Sequence, residues 1–162
     1  MNEANTNIDI YYAFDSELFI LSVLYLILCQ SKKKKIELIK VFIMIPILME
    51  NTINSAYKTR RKFAYMVQKT SDDVSKSNFH IKTNDYIYKY RDKIYNSILE
   101  GLKIGLFQLN FEKELYLVLG HKPRNYNSIK DNEFFKRIKK LTSFCENIEV
   151  REVFKDIKLG EL

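Results

Sequence analysis

His80 and His121 are the only histidines, and neither stands at a spacing that a metal centre or a nucleophile–base pair would use. His80 falls in a polar stretch and His121 follows a strand signal, so both read as solvated. Cys29 lies inside an apolar run and Cys145 on an apolar helical stripe. The two are far apart in sequence and form no zinc-type pair. They read as unpaired core thiols of a protein in a reducing cytoplasm. Asp72 and Asp73 are adjacent carboxylates in a polar stretch with no acid–base partner nearby. Four scattered glycines cannot cradle a phosphate. These patterns predict no catalytic residue, no metal and no cofactor, and they argue against an enzyme.

The chemistry that remains is binding. The chain carries 27 basic and 20 acidic side chains, a formal charge of +7. Such a surplus points to a polyanion or to an acidic protein. Lys58, Arg60, Arg61 and Lys62 mix with Tyr57, Phe63 and Tyr65, with no acid between Asn51 and Lys69. Cations so placed suit phosphates, because each contact releases counterions. Lys89, Arg91 and Lys93 repeat the mixture among Tyr86, Tyr88 and Tyr90. These seven cations are the candidate DNA or partner contacts. The alternative stands beside it: the aromatics are core and the cations only solvated.

The elements that would hold these residues are helices. Gly and Pro are scarce, while 46 % of residues are hydrophobic and 14 % aromatic. Phe19 to Cys29 is apolar nearly all round the turn, behind the acidic, capping-type lead Asp15, Ser16 and Glu17. It is too short for a bilayer, which needs about 20 residues. A signal peptide would place charge before the apolar run rather than lysines after it. The run therefore reads as the buried central helix of one domain, with a core spanning about residues 8–160 and no membrane partner.

Lys32 to Lys35 read as a solvated link. A second greasy helix starts near Ile36 and kinks or stops at Pro46. A basic third helix, capped by Asn51 or Thr52, runs to about Gln68, and a polar loop covers Thr70 to Thr83. A fourth helix runs from Asp85 to about Gly101. Tyr86, Tyr90, Ile94, Ile98 and Leu102 line its core face, and Ile87, Tyr95 and Leu99 widen it. Gly101 and Gly105 offer places for it to end. Leu106 to Asn110 and Leu115 to Leu119 form a hairpin about Phe111 to Glu114. A fifth helix, about Asn132 to Glu146, buries Phe134, Phe135, Ile138, Leu141, Phe144 and Cys145. Its wet side carries Lys136, Arg137, Lys139 and Lys140. A short helix from Val150 to Ile157 closes the chain. The expected class is mainly α, within α+β: a compact helical domain with a β-hairpin, winged-helix-like. In that arrangement Asp85 to Leu102 is the recognition helix, although such folds also dock proteins.

In this order the pattern resembles the middle component of bacterial three-component ABC systems, a family that includes the small third subunit of the Lamassu anti-phage system. The matching residues are the acid-capped helix Asp15 to Cys29 and the proline-centred segment Val41 to Met49. They continue with Ile98, Leu99, Gly101, Leu102, Gly105 and Leu106 entering a hairpin. The closing match is Leu141, Phe144, Val153 to Ile157 and the Leu159-Gly160 turn. The family often has His or a basic residue after the proline segment, where this chain has Met49, Glu50 and Asn51. It usually has Val-Arg-Pro after the closing turn, where this chain has Glu161 and Leu162.

The resemblance implies a non-catalytic accessory subunit on the heads of an SMC-like ABC ATPase, active in anti-phage or anti-plasmid defence. It implies that the subunit restrains an effector nuclease until foreign DNA is sensed, and that DNA is contacted through the complex. A stand-alone winged-helix DNA-binding regulator is the alternative. A membrane-surface protein using the lysine run is a third reading.

Overall fold

The computed structural model describes residues 16–49, 79–121, 133–149 and 151. The order is α1 (Glu17–Gln30), β1 (Lys35–Glu37), α2 (Leu38–Met49), α3 (Phe79–Lys103), β2 (Phe107–Phe111), β3 (Leu115–Leu119) and α4 (Glu133–Glu146). The fold is mainly helical with one small antiparallel sheet, ordered β1-β3-β2. The expected helix at Thr52 to Gln68 lies outside the described residues. So does the closing helix, Arg151 apart.

α1 is the centre. Ser16 Oγ accepts from the Phe19 N–H at 3.1 Å, and Glu17 sits on the positive end of the helix dipole. Ile20, Leu21, Val23, Leu24, Ile27, Leu28 and Cys29 are buried. Leu18 and Ser22, one turn apart, form its narrow wet strip. α3 and α4 pack on α1, and α2 packs chiefly on α3.

The lysine link is partly a strand, which corrects the expected solvated run. Lys34 takes a positive φ of 54° and places its Nζ 2.6 Å from the Cys29 carbonyl, a cation on the negative end of α1. Ser31 Oγ then donates to the Lys35 carbonyl at 2.7 Å. The chain turns into β1, and Ile36, expected in the second helix, is buried opposite Leu117. α2 runs through Pro46 to Met49 without stopping. The ring removes one backbone donor, but Met44, Ile45, Ile47 and Leu48 are all buried around it. That burial holds the turn.

α3 begins at Phe79, so the expected loop does not reach Thr83, and His80 lies in a first helical turn. Tyr90, Ile94 and Ile98 face the core as expected, whereas Tyr95 and Leu99 are exposed. They sit one position past Ile94 and Ile98, about 100° round the helix, beyond the reach of α1 and α2. Buried Ser97 Oγ lies 2.8 Å from the Glu17 carbonyl and ties α3 to the start of α1.

α3 ends where Leu106 N–H bonds to the Gly101 carbonyl (2.8 Å) and Gly105 N–H to the Leu102 carbonyl (3.1 Å). This is a Schellman cap, with Gly105 at φ +71°. Gly101 has another role. A Cβ there would collide with the buried Phe107 ring and lie 3.1 Å from Leu21 Cδ1.

The hairpin pairs Phe107 with Leu119, Leu109 with Leu117 and Phe111 with Leu115. These six side chains share one face. At the base they enter the core; towards the tip they leave it. In α4, Phe135, Ile138, Leu141 and Cys145 are buried, and Phe134 packs on Phe19 with ring centroids 5.7 Å apart. Lys136 and Lys139 are exposed as expected. Arg137 and Lys140 are half-buried, which corrects their assignment to the wet side, and Arg137 Nε is buried without a hydrogen-bond partner. No helix among the described residues is long and apolar enough to cross a membrane.

Candidate interaction surface

Lys58, Arg60, Arg61 and Lys62 lie outside the described residues. Lys89, Arg91 and Lys93 lie on the N-terminal half of α3, but the helix does not bring all three together. Lys89 and Lys93 are one turn apart and flank Tyr90, their ammonium groups 5.0 and 6.0 Å from its ring centroid. Arg91 is about 200° round from Lys89, and its Nε pairs with Asp92 at 3.0 Å. Asp85 and Glu100 join Asp92 to oppose Lys89, Arg91, Lys93 and Lys103, so the helix from Asp85 onward is close to neutral. It is not the basic rod that a phosphate backbone selects.

The outward face of α3 carries something else. Tyr88 is 58 % exposed and Tyr95 57 %, and Leu99 is also exposed. Positions 88, 95 and 99 fall within about 40° of one another on a helix, so they form one line. The hairpin tip is Glu112, Lys113 and Glu114 between Phe111, 76 % exposed, and exposed Leu115. Two acids at the tip repel phosphate. Exposed Phe111 and Leu115 beside them suit protein.

A cleft of about 330 Å³ opens between the β1 turn, the start of α2 and the end of α4. Sequence reasoning missed it. Its only signals were the lysine run and the i, i+3 spacing of Glu37 and Lys40. Lys40 is 3 % exposed, and its Nζ is 2.9 Å from Glu37 Oε1. Lys35 Nζ is 2.5 Å from Glu112 Oε1 and 4.4 Å from the Tyr116 ring centroid. Glu146 Oε1 accepts from the Lys32 N–H at 2.6 Å. These charges answer one another across the cleft and lock β1, the hairpin and α4 together.

Cys145 closes the cleft floor. Burial pushes its thiol up to about 12; Lys40 pulls it down and Glu37 adds to the rise, both smaller effects. Burial also raises Cys29, while Tyr25 and Lys34 pull it back. Both are neutral thiols at pH 7. His121 is exposed. Among the described residues, no group of three His, Cys, Asp or Glu is placed to hold a metal ion.

No protein-family model, curated protein or solved structure matches the chain.

Proposed function

We propose that this chain is a non-catalytic docking subunit of an SMC-like ABC ATPase complex, working in the cytoplasm in anti-phage or anti-plasmid defence. Its outward α3 face meets the ATPase heads, and the subunit links them to an effector nuclease. One observation carries the docking role: Tyr88, Tyr95 and Leu99 stand in a solvent-facing line on the part of α3, from Asp85 onward, where charges nearly cancel. Tyrosines of this kind are the usual anchors of protein interfaces. The ATPase and nuclease come from the sequence resemblance. DNA is met through the complex, with the exposed cations touching its backbone.

The second reading is a winged-helix regulator that binds DNA alone. The order helix, strand, helix, long helix, hairpin, with β1 pairing β3, supports a winged-helix arrangement. The nearly balanced charge of α3 from Asp85 onward and the Glu-Lys-Glu tip weigh against lone DNA binding.

Co-expression with an ABC ATPase encoded beside it tests the proposal. Wild type is expected to co-elute with the ATPase. Tyr88→Glu/Tyr95→Glu is expected to lose it by about 30-fold or more, since each anchor contributes at least about 1 kcal/mol. A chain that ignores the ATPase and holds duplex DNA unaided overturns the proposal.

A further inference from the structure

β2 lies at the edge of the sheet, and among the described residues it pairs with β3 alone. Exposed edges invite another strand, and proteins blunt them with Lys, Pro or bulges. Phe107-Gln108-Leu109-Asn110-Phe111 carries none of these. Leu109 is 46 % exposed, and Phe111, further out, is the most exposed large apolar side chain among the described residues.

The apolar–amide alternation of this edge is symmetric about Leu109, with Gln108 and Asn110 as the two amides. Set antiparallel to a second copy about Leu109, it places Leu109 opposite Leu109, Gln108 opposite Asn110, and Phe107 opposite Phe111 of that copy. The hydrogen-bond parity agrees. Gly120 N–H donates to the Leu106 carbonyl at 2.8 Å, and Glu112 N–H to the Glu114 carbonyl at 3.1 Å. The even-numbered residues of β2 therefore turn their backbone groups to β3. Phe107, Leu109 and Phe111 turn theirs to the open edge. A two-fold axis through Leu109 makes each of these three exchange both N–H and C=O with its opposite number. The same axis merges the apolar faces of the two hairpins and sets the Gln108 and Asn110 amides side by side on the other face.

We propose that β2 is a self-association edge: a second copy of this chain pairs with it antiparallel, about a two-fold axis at Leu109. A foreign strand would need its own matched pattern, whereas a second copy supplies one by symmetry. The pairing uses the sheet edge and stands apart from the α3 docking face, so either can fail alone.

Sedimentation velocity of the full chain at about 0.15 M salt, where repulsion between two basic copies is screened, is the first test. Wild type is expected to be a dimer at micromolar concentration. Leu109→Lys, which sets two lysines face to face, is expected to weaken it by about 100-fold with an unchanged helical circular dichroism spectrum. A second variant does not depend on breaking anything. Leu109→Cys is expected to cross-link to itself under mild oxidation, since hydrogen-bonded antiparallel pairs lie about 5.5 Å apart at Cα, within disulfide reach. Gln108→Cys is expected not to, because it faces Asn110. The native Cys29 and Cys145 are buried and do not confuse the result. A monomeric wild type, a dimer that Leu109→Lys leaves intact, or equal cross-linking at Gln108→Cys overturns the proposal.

Discussion

Replacing Glu37 with Gln leaves the Lys40 ammonium buried beside a neutral amide. The pair is 2.9 Å apart, with side-chain exposures of 4 % for Lys40 and 19 % for Glu37. At an effective dielectric constant near 20 the lost attraction is about 6 kcal/mol. Two features reduce it. The Gln carbonyl still accepts a hydrogen bond from Lys40, and the cleft admits water on the Glu37 side. Glu146 borders the same cleft but is engaged by the Lys32 N–H. The net loss comes to about 2–3 kcal/mol, a fall in Tm of roughly 5–10 °C for a chain of this size. Urea denaturation followed by circular dichroism measures it. Lys40→Met/Glu37→Gln removes the charge along with its partner and is expected to lie within about 1 kcal/mol of wild type. The reasoning fails if Glu37→Gln costs under about 0.5 kcal/mol, or if the double variant is no more stable than the single one.

Leu24 is fully enclosed in α1, so Leu24→Asp is expected to abolish cooperative unfolding, read by near-ultraviolet circular dichroism. Gly101→Val drives a side chain into Phe107 and Leu21. It should cost about 2–3 kcal/mol in urea titration, with part recovered in Gly101→Val/Phe107→Leu. Cys145 ionises near pH 12 when folded, against a usual 9.0. Its contribution to stability is therefore whole below pH 9 and falls as the pH rises from 9 to 12, by about 1.4 kcal/mol per unit relative to Cys145→Ala. Both thiols should react with an aromatic disulfide reagent only after denaturation. Arg91→Glu removes an exposed ion pair with Asp92 and should shift stability by under about 0.5 kcal/mol.

Helical periodicity and the long apolar runs carried most of the core. α1 and α2 were legible as apolar runs, and α4 and the later turns of α3 because their buried residues recur at helical spacing. The hairpin was legible because two apolar runs flank a short polar turn. β1 was not. Three residues with only Ile36 buried give no alternation to read, and the strand exists because β3 supplies partners some 80 positions away. The first turns of α3 looked like loop, since Thr83, Asn84 and their neighbours are polar. Tyr95 and Leu99 misled for a related reason. An apolar stripe shows which residues lie on neighbouring faces, not how far round the helix the packing partners extend. Of the candidate site, the tyrosine–cation mixture near Lys89 was legible, but the opposite placement of Arg91 and the balancing acids emerged only on the folded helix. The ion-paired cleft brings together residues more than 100 positions apart, and no local pattern announces it.

The central claim is that α3 docks an ABC ATPase. Tagged wild type and tagged Tyr88→Glu/Tyr95→Glu, each expressed with the ATPase and effector genes that neighbour it and then fractionated by size exclusion, test it most directly. The account predicts a large assembly containing the ATPase for wild type and its loss in a variant that still folds. Co-elution unchanged by the two substitutions, or no ATPase in the wild-type fraction, would contradict it.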